Sequence, residues 1–213
     1  LTLTLSVDAQ SWWSNKRIKG NGNVTTVTRD TGDYDGVSVG GFFDVILVGG
    51  KEGKVTIEGE ENLMEYIITE VSRGTLKIKV EKGINMRTTR KLTVTVPVRD
   101  IDRVSLGGSG NVKSETIIKT DDLDVSLGGS GNITLEVDAS NVKSSIGGSG
   151  NIKLSGKADH MKGSIAGSGT IKAYELSVNT VKASIAGSGD ITYKGNPTKI
   201  DSKASGSGDI SSY

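Results

Sequence analysis

Glycine-rich turns are the first feature of this sequence that could carry chemistry. The tripeptide Gly-Ser-Gly recurs, and its copies begin at Gly108, Gly129, Gly148, Gly167, Gly187 and Gly206. A Gly-rich turn cradles a phosphate group when it follows a strand and opens a helix. Each copy here is instead followed by a strand-like run such as Asn-Ile-Thr-Leu. The sequence therefore predicts no nucleotide-binding loop and no cofactor.

Acidic residues next to these turns are the second candidate for chemistry. Asp190 and Asp209 directly follow the last two copies of the tripeptide, whereas the earlier copies carry Asn or Thr at that position. A calcium ion in a protein takes about six to eight oxygen ligands, several of them from carboxylates. Because two isolated acids fall short of that set, the pattern favours a structural corner and predicts no metal site.

A catalytic arrangement would need an acid and a base that converge in a groove. Asp121, Asp122 and Asp124 cluster on one connection, and His160 is the single histidine. Enzymes that cleave acidic polysaccharides pair such groups with Arg or Lys, but no Arg follows Arg103. The sequence favours a protein that is not an enzyme. A polysaccharide-cleaving enzyme on the same scaffold remains the alternative.

Lysines recur at fixed distances from the turns and form candidate binding columns. One column lies five positions before the tripeptide and contains Lys143, Lys162 and Lys182, interrupted by Asp124 and Asp201. Another lies five positions after its first glycine and includes Lys153 and Lys172. Such columns predict salt-dependent binding of an anionic surface ligand such as a glycan. Because Asp residues interrupt the first column, the pattern favours lysines that keep a parallel sheet soluble over a binding site.

Composition excludes several classes of protein. The 213 residues contain 26 Lys and Arg against 25 Asp and Glu, so the chain lacks the basic excess that recruits nucleic acid. The absence of Cys excludes disulfides and thiolate metal sites. No run reaches the roughly 18 apolar residues of a transmembrane helix. The 30 glycines, which show no three-residue period, exclude collagen and a helical bundle.

The repeat itself predicts the fold. Successive copies of the tripeptide are 19 to 21 residues apart, and apolar residues flank each copy at fixed offsets. Stacked coils of this length bury a continuous aliphatic core, which predicts an all-β, right-handed parallel β-helix (β-solenoid). The residues that follow each turn would then stack at a structural corner, with the asparagines able to form a hydrogen-bonded ladder. These corner residues are Asn111, Asn132, Asn151, Asp190 and Asp209.

The chain divides into three predicted segments. Residues 1–10 alternate Leu and Val with polar residues, which indicates either the remnant of a signal peptide or a first strand. Residues 11–100 are predicted as irregular β coils that continue into the regular repeats at 101–213, with Trp12 and Trp13 capping the open end. Within the irregular part, a short helical turn is expected at 62–68 with Asn62 as its N-cap, and a loop at 82–90.

The sequence resembles a bacterial family called "putative auto-transporter adhesin, head GIN domain". The resemblance rests on the Gly-Ser-Gly-Asn-Ile/Val repeats at 108–112, 129–133 and 148–152, and on the order of Gly-Phe-Phe-Asp-Val at 41–45 and Gly-Thr-Leu-Lys-Ile at 74–78. It covers nearly the whole chain from about Arg17 onward. The resemblance implies an exported cell-envelope protein, commonly from Bacteroidetes, that is built of β-helical coils and acts in adhesion.

Taken together, the sequence predicts a non-catalytic cell-envelope or surface protein located in the periplasm, on the outer membrane or outside the cell. A rigid β-helical face would bind a surface partner through many weak contacts. The third hypothesis, beside adhesin and enzyme, is a structural scaffold. Unpaired strands at an end of the solenoid would invite a second copy, so homo-oligomerisation through the ends is expected.

Overall fold

A computed structural model describes residues 16–212, in which nearly all regular structure is β. The strands of the first half are β1 (Lys16–Lys19), β2 (Val24–Gly32), β3 (Gly36–Gly41), β4 (Asp44–Gly49), β5 (Gly53–Glu60), β6 (Ile67–Ser72), β7 (Thr75–Val80), β8 (Ile84–Arg87) and β9 (Thr93–Val98). Those of the second half are β10 (Arg103–Gly108), β11 (Asn111–Gly129), β12 (Asn132–Gly148), β13 (Asn151–Gly167), β14 (Thr170–Gly187), β15 (Asp190–Tyr193), β16 (Lys199–Gly206) and β17 (Ile210–Ser212). A 3₁₀ helix spans Glu61–Tyr66. Residues 1–10, with the signal-peptide or strand hypothesis, lie outside the described residues, as do Trp12 and Trp13.

The second half is a β-solenoid of about six turns, as the repeat predicts. Strands β10 to β14 pair in parallel, and each pairing joins residues one repeat apart. The apolar residues two positions before the tripeptide consequently stack in one buried column. This column contains Leu106, Leu127, Ile146, Ile165 and Ile185, each at most 3% exposed. The predicted aliphatic core of the solenoid is therefore confirmed, whereas its right-handed sense of winding stays a prediction.

Each coil has two walls that face each other across this core. Wall A follows the Gly-Ser-Gly corner (132–139 and the equivalent residues), and wall B follows the next bend (141–148 and the equivalents). A Cβ on Gly163 of wall B would lie 3.3 Å from Cδ1 of Ile191 on wall A. Because wall A carries isoleucines in these coils, wall B has only small residues opposite them. The small residues are Ser144, Gly163 and Ala183.

The N-terminal part joins the stack directly and then changes topology. Strand β3 pairs in parallel with β10, and β4 pairs in parallel with β11, so these two strands form the next coil. Phe43 fills the interior of that coil and is fully buried. Beyond β3 and β4, the strands β7 and β9 still pair in parallel, but β6, β5 and β2 add antiparallel pairings. The irregular first half therefore covers this end of the core with antiparallel strands.

Two local predictions for the first half are wrong. The helical turn begins at Glu61, and Asn62 is not its N-cap, because the Asn62 side chain binds an adjacent loop. Its Oδ1 accepts a hydrogen bond from the backbone N–H of Asn21 at 3.0 Å, and its Nδ2 donates to the carbonyl of Lys19 at 2.9 Å. The predicted loop at 82–90 contains strand β8, which pairs in parallel with β1. Met86 on this strand packs its side chain into the core.

Helices contribute little to this fold. Within residues 16–212, no helix combines the length and the apolar character that a membrane crossing requires.

Candidate functional site

The Gly-Ser-Gly corner is the element that sets the spacing of every exposed column. Its first glycine has a positive φ, from 119° to 139° across the copies, which L side chains rarely adopt. A Cβ on Gly129 would lie 2.4 Å from the carbonyl oxygen of Gly108, and one on Gly131 would lie 2.3 Å from that of Gly110. Both glycines are therefore required because successive corners stack backbone on backbone.

Asparagines at the corner form a ladder of hydrogen bonds along the solenoid axis. Nδ2 of Asn111 donates to Asp44 at 2.7 Å, Nδ2 of Asn132 donates to Asn111 at 2.9 Å, and Nδ2 of Asn151 donates to Asn132 at 2.9 Å. Lys91 pairs with the other oxygen of Asp44 at 3.5 Å. Each asparagine amide donates a hydrogen bond to the corner side chain of the preceding coil, so the ladder holds neighbouring coils in register.

Asp190 and Asp209 continue the corner column at its far end. Stacking places these two carboxylates on neighbouring coils, and the N–H of Asp209 donates a hydrogen bond to Oδ1 of Asp190 at 3.1 Å. Within residues 16–212, no three His, Asp or Glu side chains lie together in a way that could hold a metal ion. The geometry at this corner is that of a hydrogen-bonded turn.

The first lysine column stands on wall B. The pairing of β12, β13 and β14 brings Lys143, Lys162 and Lys182 into one line. The two outer lysines have carboxylate partners: Lys143 lies 2.7 Å from Asp124, and Lys182 lies 3.1 Å from Asp201. For Lys162, no carboxylate of the described residues lies within ion-pair distance. The middle of this column therefore carries uncompensated positive charge.

The second lysine column stands on wall A, so it projects away from the first. Lys153 and Lys172 are neighbours in the pairing of β13 with β14. Nζ of Lys153 lies 2.8 Å from Glu175 and 5.6 Å from the centre of the Tyr174 ring. The hydrogen bond with Glu175 raises the pKa of Lys153 above its ordinary value. Since the columns lie on opposite walls, one flat ligand surface cannot contact both.

Two shallow grooves flank the bend between the walls. The first, of about 670 Å³, is lined by alternating charges and amides, including Asp121, Asp138, Lys157, Asp159 and Asn179. The second, of about 400 Å³, contains Arg103, Asp122, Asn141, His160 and Lys162. Both grooves are bordered mainly by polar side chains, and both follow the stacking axis across several coils.

Three of the catalytic candidates, Asp122, Asp124 and His160, are engaged in structural contacts. Asp122 accepts a hydrogen bond from Asn141 at 2.9 Å, and Nδ1 of His160 contacts the Thr180 hydroxyl at 2.6 Å. Burial of Asp124 opposes ionisation, but hydrogen bonds from Lys143 and Ser126 outweigh it, so the pKa of Asp124 lies below its ordinary value. A general acid in glycoside cleavage needs a raised pKa. The pKa of Asp124 is shifted in the opposite direction.

Glu60 is a buried charged group that the sequence does not reveal. Its carboxylate accepts hydrogen bonds from the backbone N–H groups of Gly22 and Thr89, both at 2.7 Å, and from the Thr89 hydroxyl at 2.6 Å. Burial opposes ionisation, but these bonds and one from the backbone of Arg90 outweigh it and lower the pKa of Glu60 to about 2. The carboxylate ties together two loops that are distant in sequence, so its role is structural.

Tyr174 is the other residue that the repeat analysis missed. The pairing of β13 with β14 is regular up to Lys153 and Lys172, shifts by one residue, and resumes at Ser155 and Glu175. Tyr174 is the added residue of this β-bulge, and its side chain is partly exposed beside Lys153. The signal was present in the coil length, because the interval from Gly167 to Gly187 is 20 residues and the two before it are 19.

The residues that build the solenoid also identify the family of the chain. The model of the family described as "putative auto-transporter adhesin, head GIN domain" matches residues 33–213, which include the whole solenoid. The chain belongs to this family. The match confirms the resemblance inferred from the repeats. A search of curated proteins finds no match to the chain.

Solved structures of other bacterial proteins share the fold. A "putative adhesin" from Bacteroides fragilis is 24% identical, with a TM-score of 0.82 over 92% of this chain and 100% of its own. A "putative lipid binding protein" from Parabacteroides distasonis is 28% identical, with a TM-score of 0.72 over 93% and 100%. A "putative adhesin" from Parabacteroides merdae is 24% identical, with a TM-score of 0.66 over 93% and 99%. The family supports an adhesin-like surface protein, and these structures support the fold.

Proposed function

We propose that this head GIN-domain protein is a non-catalytic adhesin of the cell envelope that binds an anionic glycan along its lysine columns. The observation that carries the proposal is the alignment of Lys143, Lys162 and Lys182 on wall B, with Lys162 free of a carboxylate partner in the described part of the chain. Parallel strands repeat at about 4.8 Å, so a polymer lying along the axis meets one ammonium group per coil.

Affinity in this mechanism comes from repetition. An exposed ion pair contributes about 0.2–1 kcal/mol, so no single lysine holds the ligand. Contacts on one rigid scaffold act together, because the first contact raises the effective concentration for the next. Lys153 and Lys172 give wall A a second, shorter column that a separate segment of polymer can reach. Binding on either wall weakens as salt screens the charges.

The experiment is a binding titration of immobilised acidic polysaccharides with the purified protein and two matched variants. The test variant K143A/K162A/K182A removes the wall B column. The control K51A/K54A/K82A removes the same charge from exposed positions elsewhere. We expect about tenfold weaker binding for the test variant, near wild-type binding for the control, and loss of binding at high salt. Equal binding by both variants would contradict the proposal.

Two other functions are less well supported by the site. A polysaccharide-cleaving enzyme would need a raised pKa on an acid in a groove, and Asp124 shows the reverse. Release of reducing ends from any glycan in the titration would establish the enzyme instead. A lipid ligand would need an apolar cavity, whereas the larger groove is bordered mainly by charged and amide side chains.

We also propose that the protein forms a homodimer through strand β16, which would make it a scaffold as well as a binding module. Strand β16 pairs with β14, and no strand of the described residues pairs with its other edge. All eight of its residues are exposed, and Ile200, which stands in register with the buried Val181, is 47% exposed. An open edge with an apolar residue on its inner side is a site for strand pairing.

A further inference from the structure

The β-bulge at Tyr174 interrupts the regular pairing of β13 with β14 on wall A. Between Lys153 and Ser155 of β13 only Leu154 intervenes, whereas Ala173 and Tyr174 intervene between Lys172 and Glu175 of β14. Ala173 takes the buried place, so the additional residue is directed outward with its side chain partly exposed. Bulges of this kind re-aim a side chain, and they are common next to functional sites.

The residue placed there is unusual for this surface. Among described residues 101–212, the aromatic side chains are Tyr174 and Tyr193, and Tyr193 is buried. The outer surface of the regular coils is otherwise made mainly of Ser, Thr, Asn, Gly and charged residues. An insertion that served only to lengthen the coil would not need an aromatic ring. Tyrosine at this position adds an apolar, stackable face with a polar tip.

Two lysines with different environments flank this ring. Lys153 contacts both the ring and Glu175, so its charge is already compensated. Lys172 precedes Tyr174 by two residues on the same strand, and no carboxylate of residues 16–212 lies within ion-pair distance of it. At about 3.3 Å per residue, the two side chains leave the strand about 7 Å apart. That separation suits a ligand with a flat apolar face and an anionic group at its edge.

We propose that Tyr174 and Lys172 form a binding subsite for an acidic sugar, a hexuronate unit of a glycan chain. The C–H face of the pyranose ring stacks on the Tyr174 ring, and the carboxylate on the sugar pairs with the Lys172 ammonium. Glu175 holds Lys153 against the aromatic ring and so fixes the orientation of Tyr174. This subsite rests on the proposed glycan-binding function and gives it a ligand class and a defined position on wall A.

Deletion of Tyr174 is the most direct test of the subsite, because it restores the regular pairing of β13 with β14. Without this residue, Ala173 stands opposite Leu154 and Glu175 remains opposite Ser155, so the coil matches its 19-residue neighbours. The variant should keep the circular dichroism spectrum and cooperative melting of the wild type. Y174A is the companion variant, which removes the ring and retains the bulge. K172A removes the charge, and K54A serves as the charge control from β5.

Calorimetric titration with a short oligogalacturonate, and with the same oligomer after reduction of its carboxylates, tests the subsite. We expect deletion of Tyr174 and Y174A to weaken binding of both oligomers about fivefold to tenfold, because stacking is lost. K172A should weaken binding of the acidic oligomer alone by about fivefold. K54A should bind as the wild type does.

The outcomes separate this subsite from the broader function. Wild-type affinity in a folded Tyr174 deletion would overturn the subsite and leave the adhesin proposal standing. Equal affinity of the wild type for the acidic and reduced oligomers would overturn the assignment of an acidic sugar. Failure of the wild type to bind oligogalacturonate while it still binds other immobilised polyanions would overturn the hexuronate subsite alone. Failure to bind any of these ligands would overturn both proposals.

Discussion

Glu60 shows how one buried charge organises the irregular half of the molecule. Its carboxylate receives backbone and hydroxyl donors from the loop at 20–22 and the loop at 88–90. Gly20 is required beside it, because a Cβ there would lie 2.0 Å from Oε2 of Glu60. Hydrogen bonds to an ionised acceptor are stronger than neutral ones. The charge therefore fixes two loops that have little apolar surface of their own.

Replacing this carboxylate by an amide should destabilise the protein in a pH-dependent way. E60Q keeps the shape of the side chain but removes its charge. The amide nitrogen replaces one carboxylate oxygen, so two of the four hydrogen-bond donors lose their acceptor. We expect the substitution to lower the unfolding free energy by about 2 kcal/mol at pH 7. The pKa of Glu60 falls from 4.5 to about 2 on folding, so its stabilisation is complete above pH 4.5 and is lost as pH falls towards 2. Urea denaturation from pH 7 to pH 2 measures both effects.

The control for this substitution is E58Q, which changes an exposed acid on the same strand. E58Q should unfold as the wild type does within about 0.5 kcal/mol. The difference between E60Q and the wild type should shrink across the acidic range. A constant difference from pH 7 to pH 2 would show that the charge of Glu60 is not the source of its contribution.

Residues that recur with the repeat can be predicted from the sequence, whereas the role of a residue that occurs only once cannot. The corner asparagines and the lysine columns were visible because they recur at a fixed interval. Glu60 has no counterpart elsewhere in the chain, and its partners Gly22 and Thr89 lie 38 and 29 residues away. The placement of such a group depends on tertiary contacts, which no local pattern encodes.

At the scale of the structural element, the Gly-Ser-Gly corner decides whether coils can stack. The position before the tripeptide and the third position within it are both glycine in the early copies, but their surroundings differ. A Cβ on Gly128 would have no atom within 4 Å, whereas one on Gly131 would collide with backbone of the coil below. The first position also accepts Ala166 and Ala186 in later coils.

The two glycines should therefore respond differently to the same substitution. We expect G131A to lower the unfolding free energy by about 2–4 kcal/mol, because the added methyl group forces stacked backbones apart. G128A should change it by less than about 0.5 kcal/mol. Chemical denaturation of the two variants beside the wild type measures the difference. Equal stability of G131A and G128A would contradict backbone stacking at the corner.

The prediction of elements succeeded where the period was regular. Strand, corner and strand repeat at 19 to 21 residues from Gly108 onward, and the register of β10 to β14 follows that interval. The repeat does not extend into the first half, so the sequence predicts a loop where strand β8 forms. Its partner β1 lies more than 60 residues away, and a four-residue strand gives too short an alternation to identify.

For the whole molecule, stacking produces two long walls and two unlike ends. One end is covered by the antiparallel strands of the first half and by the 3₁₀ helix. At the other end, β16 presents Lys199, Ile200 and Asp201 along its edge. Repeat proteins need such a surface to be capped or paired. Lys162, in the middle of the wall B column, lies two strands away from β16 and stays exposed when two copies meet through this end.

The residues of β16 are complementary to a second copy of themselves. In an antiparallel pairing centred on Ile200, the two Ile200 side chains meet on the core side, and each Lys199 stands opposite Asp201 of the other copy. Opposite charges at directly facing positions stabilise a strand pair, and like charges destabilise it. Such a two-fold arrangement closes after two copies, so it gives a dimer and not a fibre.

Analytical ultracentrifugation over a range of concentrations tests this pairing. We expect a reversible monomer–dimer equilibrium for the full chain, and a shift to monomer for I200K, which places two ammonium groups at the centre of the interface. The K199D substitution sets a second carboxylate opposite Asp201 in both facing pairs and should weaken the dimer. The variant K182D/K199D/D201K restores opposite charges across the interface and keeps an ion pair between positions 182 and 201, so it should recover the dimer. A dimer that K199D does not weaken, or a wild-type protein that stays monomeric at every concentration, would show that β16 is not the interface.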